Sequence, residues 1–200
     1  DASLRAIYGH DKTALEAQRE RYAALAGRFF SAFPKQTGAR FFSAPGRTEI
    51  GGNHTDHQNG RVLAASVDLD TIAVAAPNGS NRICVHSEGF APFEVDVSDL
   101  SVHDGEANTT AAIVRGCAAR MKELGYAVGG FDAVMTSTVF RGSGLSSSAA
   151  VEVLICAVLD GLFNKGDMSA VQRAQISQYA ENKYFGKPSG LMDQMASSVG

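Results

Sequence analysis

The chain has 200 residues, of which 44% are hydrophobic and 20% charged, and its formal net charge is -3. This composition is typical of a globular protein, and the length allows one domain, or at most two small ones, with a real core. It excludes a disordered or fibrous chain, and the negative net charge argues against non-specific binding to nucleic acid.

Strands outnumber helices in the first half of the chain. The predicted elements there are a helix over 11–33, a strand over 40–44, two hairpin strands over 71–75 and 82–86, and a strand over 93–97. Asp11 is expected to cap the helix, whose apolar face comprises Leu15, Tyr22, Leu25, Ala26, Phe29 and Phe30. Pro45 and Gly46 are expected to end the first strand, and residues 78–81 to form the hairpin turn.

Helices dominate the second half. The predicted elements are a helix over 108–124 that Gly125 ends, a strand over 131–140, a helix with the apolar face Ala150, Val153, Leu154, Ala157 and Val158, a helix over 169–184, and a helix that begins near Leu191. Between the strand and the helix that follows it lies a run of glycine and serine.

That run, Gly142-Ser143-Gly144-Leu145-Ser146-Ser147-Ser148, predicts a phosphate site. Glycines let backbone N–H groups turn inward around an anion, serine hydroxyls add donors, and the following helix directs its positive dipole end at the enclosed group. The alternative is a flexible linker, which is seldom joined directly to a strand and a helix. The run matches neither G-x-x-x-x-G-K-[ST] nor G-x-G-x-x-G.

A second polar cluster lies in the loop expected after the strand over 40–44. The segment 44–57, APGRTEIGGNHTDH, holds an arginine, two histidines, two carboxylates and an amide close together. This density suits a hydroxyl-rich ligand, because each hydroxyl needs both a donor and an acceptor. The alternatives are a solvated polar loop and a metal site at His54, Asp56 and His57, although no other ligand cluster completes such a site.

Two carboxylates, Glu181 and Asp193, flank a third loop at 186–190. Taken alone, Glu181 could be a solvated helix residue and Asp193 a first-turn carboxylate favoured by the helix dipole. Lys183 and Lys187 could be surface charges or phosphate partners. Together the three segments supply what phosphoryl transfer to an alcohol needs, namely positioning, charge neutralisation, a metal ligand and a base.

The three segments resemble, in the same order, motifs of the galactokinase branch of the GHMP small-molecule kinases. APGRTEIGGNHTDH is similar to PGR-x-N-x-I-G-E-H-T-D-Y, GSGLSSSAA to GLSSSA, and GKPSGLMDQ to G-x-x-x-G-x-M-D-Q. The resemblance covers the chain from about Ala44 onward. It implies ATP-dependent phosphorylation, with Mg²⁺, of the anomeric hydroxyl of galactose or a galactose-like sugar. It also implies an α+β fold, the GHMP kinase N-terminal domain (ribosomal protein S5 domain 2-like), with a mixed sheet and packed helices.

The resemblance further implies a role for each matched residue. Asp193 would accept the proton of the sugar hydroxyl, and Arg47 would stabilise the transition state and keep Asp193 ionised. The residues that would line the sugar are Asn53, His54, Thr55 and Asp56. Those that would contact ATP are Ser87, Gly142, Ser143, Gly144, Leu145, Ser146, Ser147 and Ser148. Ser148 and Glu181 would hold the magnesium, and Arg141 stands where it could pair with phosphate.

The sequence departs from the family pattern within the first segment. Asn53 replaces a glutamate, Glu49 an asparagine and His57 a tyrosine. Asparagine keeps an acceptor but loses the charge, so one sugar hydroxyl would be held less tightly or a different sugar preferred. A kinase for another sugar or sugar derivative is therefore one alternative. A non-catalytic sugar sensor is another, although binding alone would not need a proton acceptor.

Location and extent are expectations as well. The apolar stretch over 151–163 is interrupted by Glu152 and Asp160, and it is shorter than the ~20 apolar residues that span a bilayer. The three cysteines form no C-x-x-C pair. We therefore expect a cytoplasmic protein without a membrane partner. The sequence does not define its oligomeric state, for which a monomer is favoured. Because family members continue into a ferredoxin-like domain, we expect residues 1–200 to be the N-terminal domain of a longer enzyme, to reach at most the start of the second domain, and to be inactive or unstable alone.

Overall fold

The computed structural model describes residues 2–140 and 142–200, so Arg141, a suggested phosphate partner, lies outside the described residues. The helices are α1 (Ala2–Tyr8), α2 (Lys12–Ala32), α3 (Thr110–Glu123), α4 (Ser147–Phe163), α5 (Ala170–Ala180) and α6 (Met192–Val199). The strands are β1 (Arg40–Gly51), β2 (Leu63–Pro77), β3 (Arg82–Ser87), β4 (Phe93–Asp96) and β5 (Phe131–Ser137). Short 3-10 helices lie at Thr55–Gln58 and Asp104–Glu106, and a π-helical turn at Glu181–Phe185 continues α5.

The five strands form one mixed sheet in the order β1-β2-β5-β3-β4. β5 runs parallel to β3, and the other neighbouring strands are antiparallel. Helix α2 covers one face, where Leu25 and Phe29 pack on Ile72 and Val74. Residues of α3, α4 and α5 pack with the strands in the larger core on the other face. The predicted mixed sheet with packed helices is confirmed.

The predicted hairpin between residues 71–75 and 82–86 is wrong. Both segments are strands, but β5 inserts between them and pairs with each. The turn over residues 78–81, which joins β2 to β3, lies next to the start of β5, where the Gly130 N–H donates to the Ser80 carbonyl oxygen. Residues 70–76 of β2 and 131–135 of β5 are buried, and each of these strands has a neighbour on both sides in the sheet. An apolar run marks such an interior strand but does not say which strand it pairs with.

The predicted end of the first strand at Pro45 and Gly46 is also wrong. β1 continues to Gly51 with a register shift between Pro45 and Arg47, so Arg47 lies on a strand and not in a loop. β1 lies at the edge of the sheet, next to β2, and an edge strand with a bulge tolerates the missing proline N–H.

The predicted helices are confirmed with small shifts at their ends. Asp11 caps α2 by accepting a hydrogen bond from the Ala14 N–H, and Ser169 starts α5 with a capping box. Phe30, predicted in the apolar face of α2, is 47% exposed, whereas Leu15, Leu25 and Phe29 are buried. Helix α1 was not predicted. Within residues 2–140 and 142–200, no helix combines the length and apolar character needed to cross a membrane.

Candidate active site

Arg47 and Asp193 form a two-pronged ion pair at the centre of the candidate site. Arg47 Nε donates to Asp193 Oδ1 at 2.7 Å, and Arg47 Nη2 donates to Oδ2 at 2.9 Å. The Arg47 side chain is 6% exposed and that of Asp193 18%. This parallel arrangement requires the planar guanidinium, so lysine could not reproduce it.

The glycine- and serine-rich loop is fastened to the strand that carries Arg47. The Arg47 N–H donates to the Leu145 carbonyl oxygen at 3.0 Å, and its side chain donates to the Gly144 carbonyl oxygen. Gly46 makes this approach possible, since a Cβ there would lie 2.9 Å from the Leu145 oxygen. The loop and Arg47 therefore form one unit.

The environment of Asp193 favours its ionised form. Burial opposes ionisation, but the hydrogen bonds and charge of Arg47 and a 2.5 Å hydrogen bond from Ser146 Oγ hold the pKa of this carboxyl below its ordinary value. Asp193 is thus a carboxylate at neutral pH, with acceptor capacity for one further proton donor.

His54 lies beside the ion pair in a tight turn. Its ring Nε2 is 3.2 Å from Arg47 Nη2, and its Nδ1 is 4.0 Å from Asp193 Oδ1. Asn53 and His54 are both left-handed, with φ of 52° each, and both are exposed. Glu49 supports the turn by accepting the His54 N–H at 2.8 Å. A group that binds over this turn would meet the imidazole and the Asp193 carboxylate together.

Thr55 and Asp56 help to build the turn itself. Thr55 Oγ1 donates to the Gly52 carbonyl oxygen at 2.8 Å. Asp56 Oδ2 accepts the N–H of Met192, the first residue of α6, at 2.9 Å, and so positions Asp193 one residue further on. Gly190 must be glycine, because a Cβ there would fall 1.9 Å from Asp56 Oδ2.

A cavity of about 550 Å³ opens on the other side of the loop. Three of the predicted nucleotide contacts, Ser87, Ser147 and Ser148, line it together with apolar residues such as Ile113, Met135 and Val151. Gly142, Gly144 and Ser146 have φ of 78°, 77° and 55°. Ser143 Oγ is turned back to the Phe140 carbonyl oxygen at 2.7 Å. The first turn of α4 thus faces a mostly apolar cavity with a few hydroxyls, as suits a nucleotide.

Glu181, 1% exposed, lies in the π-helical turn behind Ser148. Its Oε1 accepts from Ser148 Oγ at 3.3 Å and from Lys187 Nζ at 2.9 Å, while its Oε2 accepts from Ser189 Oγ at 2.6 Å. Although burial opposes the charge of Lys187, the Glu181 carboxylate raises the pKa of this amine. Lys187 places a cation against Oε1, next to the Ser148 hydroxyl. One carboxylate and one hydroxyl fit Mg²⁺, which takes few protein ligands and fills its shell with water and phosphate oxygens.

Other candidates lie apart from this arrangement. His57 Nδ1 lies 2.7 Å from the His54 carbonyl oxygen, and no cluster of three or more histidine, cysteine, aspartate or glutamate residues in the described parts of the chain could hold a metal ion. Lys183 contacts Tyr179 on the exposed side of the π-helical turn. Sequence reasoning missed Glu49, Gln194 and Glu152 as parts of the site. The signal for Glu152 was a charged residue within an apolar helix, which Asp160 also interrupts.

Two family profiles match parts of this chain. The family profile described as "GHMP kinases N terminal domain" matches residues 112–200, and the one described as "Galactokinase galactose-binding signature" matches residues 27–77. A Methanococcus jannaschii mevalonate kinase has the same fold, with a TM-score of 0.66 at 14% identity over 82% of this chain and 52% of that one. The chain therefore has the fold of the GHMP kinase N-terminal domain, and its residues 27–77 match the galactokinase signature.

More similar relatives are galactokinases. The Bacillus subtilis galactokinase is 33% identical over 88% of this chain and 45% of its own length. That of Lactococcus lactis subsp. cremoris is 34% identical over 89% of this chain and 45% of its own length. The solved Lactococcus lactis galactokinase complexed with galactose has a TM-score of 0.80 at 33% identity, over 88% of this chain and 45% of that one. The chain thus spans about half the length of the curated relatives it matches.

Proposed function

We propose that the protein containing this chain transfers the terminal phosphoryl group of ATP to the anomeric hydroxyl of galactose. The observation that carries the proposal is the Asp193 carboxylate, held by Arg47 between the His54 turn and the loop that borders the 550 Å³ cavity. A sugar above the His54 turn and a nucleotide in the cavity would approach each other across this carboxylate. The similarity to galactokinases supports galactose as the sugar.

In the proposed reaction, Asp193 accepts the proton of the attacking sugar hydroxyl, and the oxygen bonds to the terminal phosphorus as the bond to the leaving diphosphate breaks. Arg47 neutralises charge that develops on the transferred group while it keeps Asp193 ionised. His54, with Asn53, Thr55 and Asp56 around it, orients the sugar. Backbone N–H groups and hydroxyls of residues 142–148 hold the phosphates, and Ser87 borders the nucleotide.

Ser148 and Glu181 would hold the magnesium ion. When bound, the ion supplies charge neutralisation on the phosphate oxygens. For that to happen Lys187, whose side chain is 54% exposed, would leave Glu181 Oε1 and could pair with phosphate. The cytoplasm remains the proposed location, which the free thiols of Cys84, Cys117 and Cys156 support.

The test is an assay of ADP release with the full-length protein, ATP, Mg²⁺ and a panel of sugars. We expect turnover with galactose and its loss, by a factor of about 10² or more, in Asp193→Asn, because the amide cannot accept the proton. The matched control is Asp68→Asn at an exposed carboxylate of β2. Turnover of Asp193→Asn at the parental rate would rule out the assigned base. A sensor would bind the sugar without releasing ADP.

A further inference from the structure

Three polar side chains form a buried row behind the candidate magnesium site. Glu152 of α4 and Gln194 of α6 are fully buried, and Glu181 is 1% exposed. Gln194 Nε2 donates to Glu152 Oε2 at 2.9 Å and to Glu181 Oε2 at 2.8 Å. The amide thus joins two carboxyl groups, and Glu152 is hydrogen bonded to Glu181 only through it.

The direction of the Gln194 amide follows from its neighbours. If the amide were reversed, its oxygen would face acceptor oxygens of both Glu152 and Glu181. With Nε2 in that place, both of its N–H groups are used. Two atoms of the row then have no hydrogen-bond partner in the described part of the chain, Glu152 Oε1 and Gln194 Oε1. Such orphaned acceptors in a protein interior are costly and need an explanation.

One proton on Glu152 would satisfy both orphaned atoms. A carboxyl that accepts an amide N–H through one oxygen can donate through its other oxygen to the amide carbonyl, which closes a cyclic acid–amide pair. No salt bridge reaches Glu152 in residues 2–140 and 142–200, whereas Lys187 pairs with Glu181. A buried carboxylate without a cation is unfavourable. In agreement, the pKa of Glu152 is raised well above its ordinary value, mainly by burial and secondly by the negative charge of Glu181.

We infer that Gln194 is a positioning residue for Glu181, and that Glu152, as a neutral acid, fixes the direction of the Gln194 amide by donating a hydrogen bond to its oxygen. The row keeps Glu181 Oε2 occupied by Gln194 and Ser189, so Oε1 alone faces Ser148. Because Gln194 follows Asp193 in α6, the same row ties the helix of the proposed base to α4. The assignment of Glu181 as a magnesium ligand rests on the proposed function, whereas the acid–amide pair between Glu152 and Gln194 does not.

The direct test is infrared spectroscopy of the full-length protein at neutral pH. A protonated carboxyl has a carbonyl band that carboxylates lack. We expect this band in the parent protein and its loss in Glu152→Gln, with no change in the control Glu20→Gln at an exposed position. A parent protein without this band, or a Glu152→Gln protein that keeps it at parental intensity, would overturn the inference. This readout does not depend on any enzymatic activity, so it stands even if the proposed function fails.

The positioning role has its own readout, the Mg²⁺ concentration that half-saturates nucleotide binding in calorimetry. Glutamine at 152 can still donate to the Gln194 oxygen, so Glu152→Gln should keep the parental value within about twofold. Glu152→Leu and Gln194→Leu, which break the row, should raise that value about tenfold or more, as loss of an outer-shell partner does elsewhere. At saturating Mg²⁺ and nucleotide they should leave the galactose KM within about twofold of the parental value, because Arg47 and Ser146 still hold Asp193. A folded Gln194→Leu protein with parental Mg²⁺ dependence would remove the positioning role.

Discussion

Among single residues, Arg47 has the most exacting role, because one guanidinium meets Asp193, the Gly144 carbonyl and the His54 ring. We predict that Arg47→Lys preserves the charge but loses the fork, so the pKa of Asp193 rises. A carboxylate whose pKa is depressed is active above that pKa and loses activity as the pH falls through it. The acid limb of the kcat profile should therefore move to higher pH, which initial rates across pH would measure. Arg82→Lys, at an exposed arginine paired with Glu94, is the control. An unshifted acid limb would contradict the prediction.

A second residue-scale feature is an exchange relative to the galactokinase motif. That motif has asparagine and glutamate where this chain has Glu49 and Asn53. Asparagine tolerates the left-handed conformation at 53 better than glutamate does. Meanwhile Glu49 retains a carboxylate that accepts the His54 N–H, and its Oε2 lies 3.4 Å from His54 Nε2. The charge at this edge of the site is therefore kept, although it comes from β1 and not from the turn.

This exchange predicts that Asn53→Glu alone crowds two carboxylates around His54 and weakens galactose binding. The double variant Glu49→Asn/Asn53→Glu restores a single carboxylate, so we expect it to bind galactose better than either single variant. Galactose affinity measured by calorimetry for the four proteins gives the coupling between the two positions. If the effects of the two substitutions simply add, the positions act independently and the exchange has no compensating role.

The site residues that could be predicted are those in recognisable local motifs, namely Arg47, the 142–148 loop and Asp193. Their contacts could not be predicted from sequence, because Arg47 and Asp193 meet only after β1 and α6 pack together. The same limit hid Gln194 and Glu152, whose roles depend on which groups the fold buries beside them. Asp56 illustrates the difference, since sequence reasoning assigned it to the sugar and its carboxylate also caps α6.

Among the elements, the helices after α1 were predictable because their signals are local: a capping Asp11, a capping box at Ser169, and apolar residues at helical spacing. Strand pairing was not, since β2 and β3 are neighbours in sequence but are separated in space by β5. Nothing within 71–86 encodes that insertion. The extension of β1 beyond Pro45 could not be predicted either, because the position of β1 at the edge of the sheet depends on how all the strands pair.

The loop over 142–148 gives an element-scale prediction. Gly144 has φ of 77° and open space around it, so Gly144→Val is opposed by backbone strain and not by a clash. A strained residue of this kind costs about 1–3 kcal/mol, and the affinity for a non-hydrolysable ATP analogue should fall by a factor of about 5 to 100, since 1.4 kcal/mol is a factor of ten. Calorimetry measures the affinity of the variant for the analogue.

The control is Gly27→Ala on the exposed side of α2, which should stabilise the protein by up to about 1 kcal/mol and leave nucleotide affinity unchanged. Parental affinity in Gly144→Val would show that the loop conformation is not needed.

At the scale of the whole molecule, the loop stands between the two proposed binding regions. On one side, Ser147 and Ser148 line the cavity. On the other, the Gly144 carbonyl and Ser146 Oγ contact Arg47 and Asp193. The mixed sheet and the helices on its larger core side bring these regions together from segments far apart in sequence. Anything that orders the loop from the cavity side will also hold Asp193 in place.

This arrangement predicts that nucleotide and sugar binding are coupled. A non-hydrolysable ATP analogue should tighten galactose binding, and galactose should tighten the analogue by the same factor, because linkage is reciprocal. We expect at least about fivefold, the lower end of typical couplings. Ser146→Ala, which removes the hydrogen bond to Asp193, should reduce the factor. Ser31→Ala should not, since that hydroxyl donates to the Gly27 carbonyl oxygen within α2, away from the loop. Calorimetric titrations of each ligand with and without the other measure all four quantities. Equal galactose affinity in the presence and absence of the analogue would mean that the two regions bind their ligands independently. The contacts between the loop and Asp193 would then contribute nothing to the coupling free energy between nucleotide and galactose.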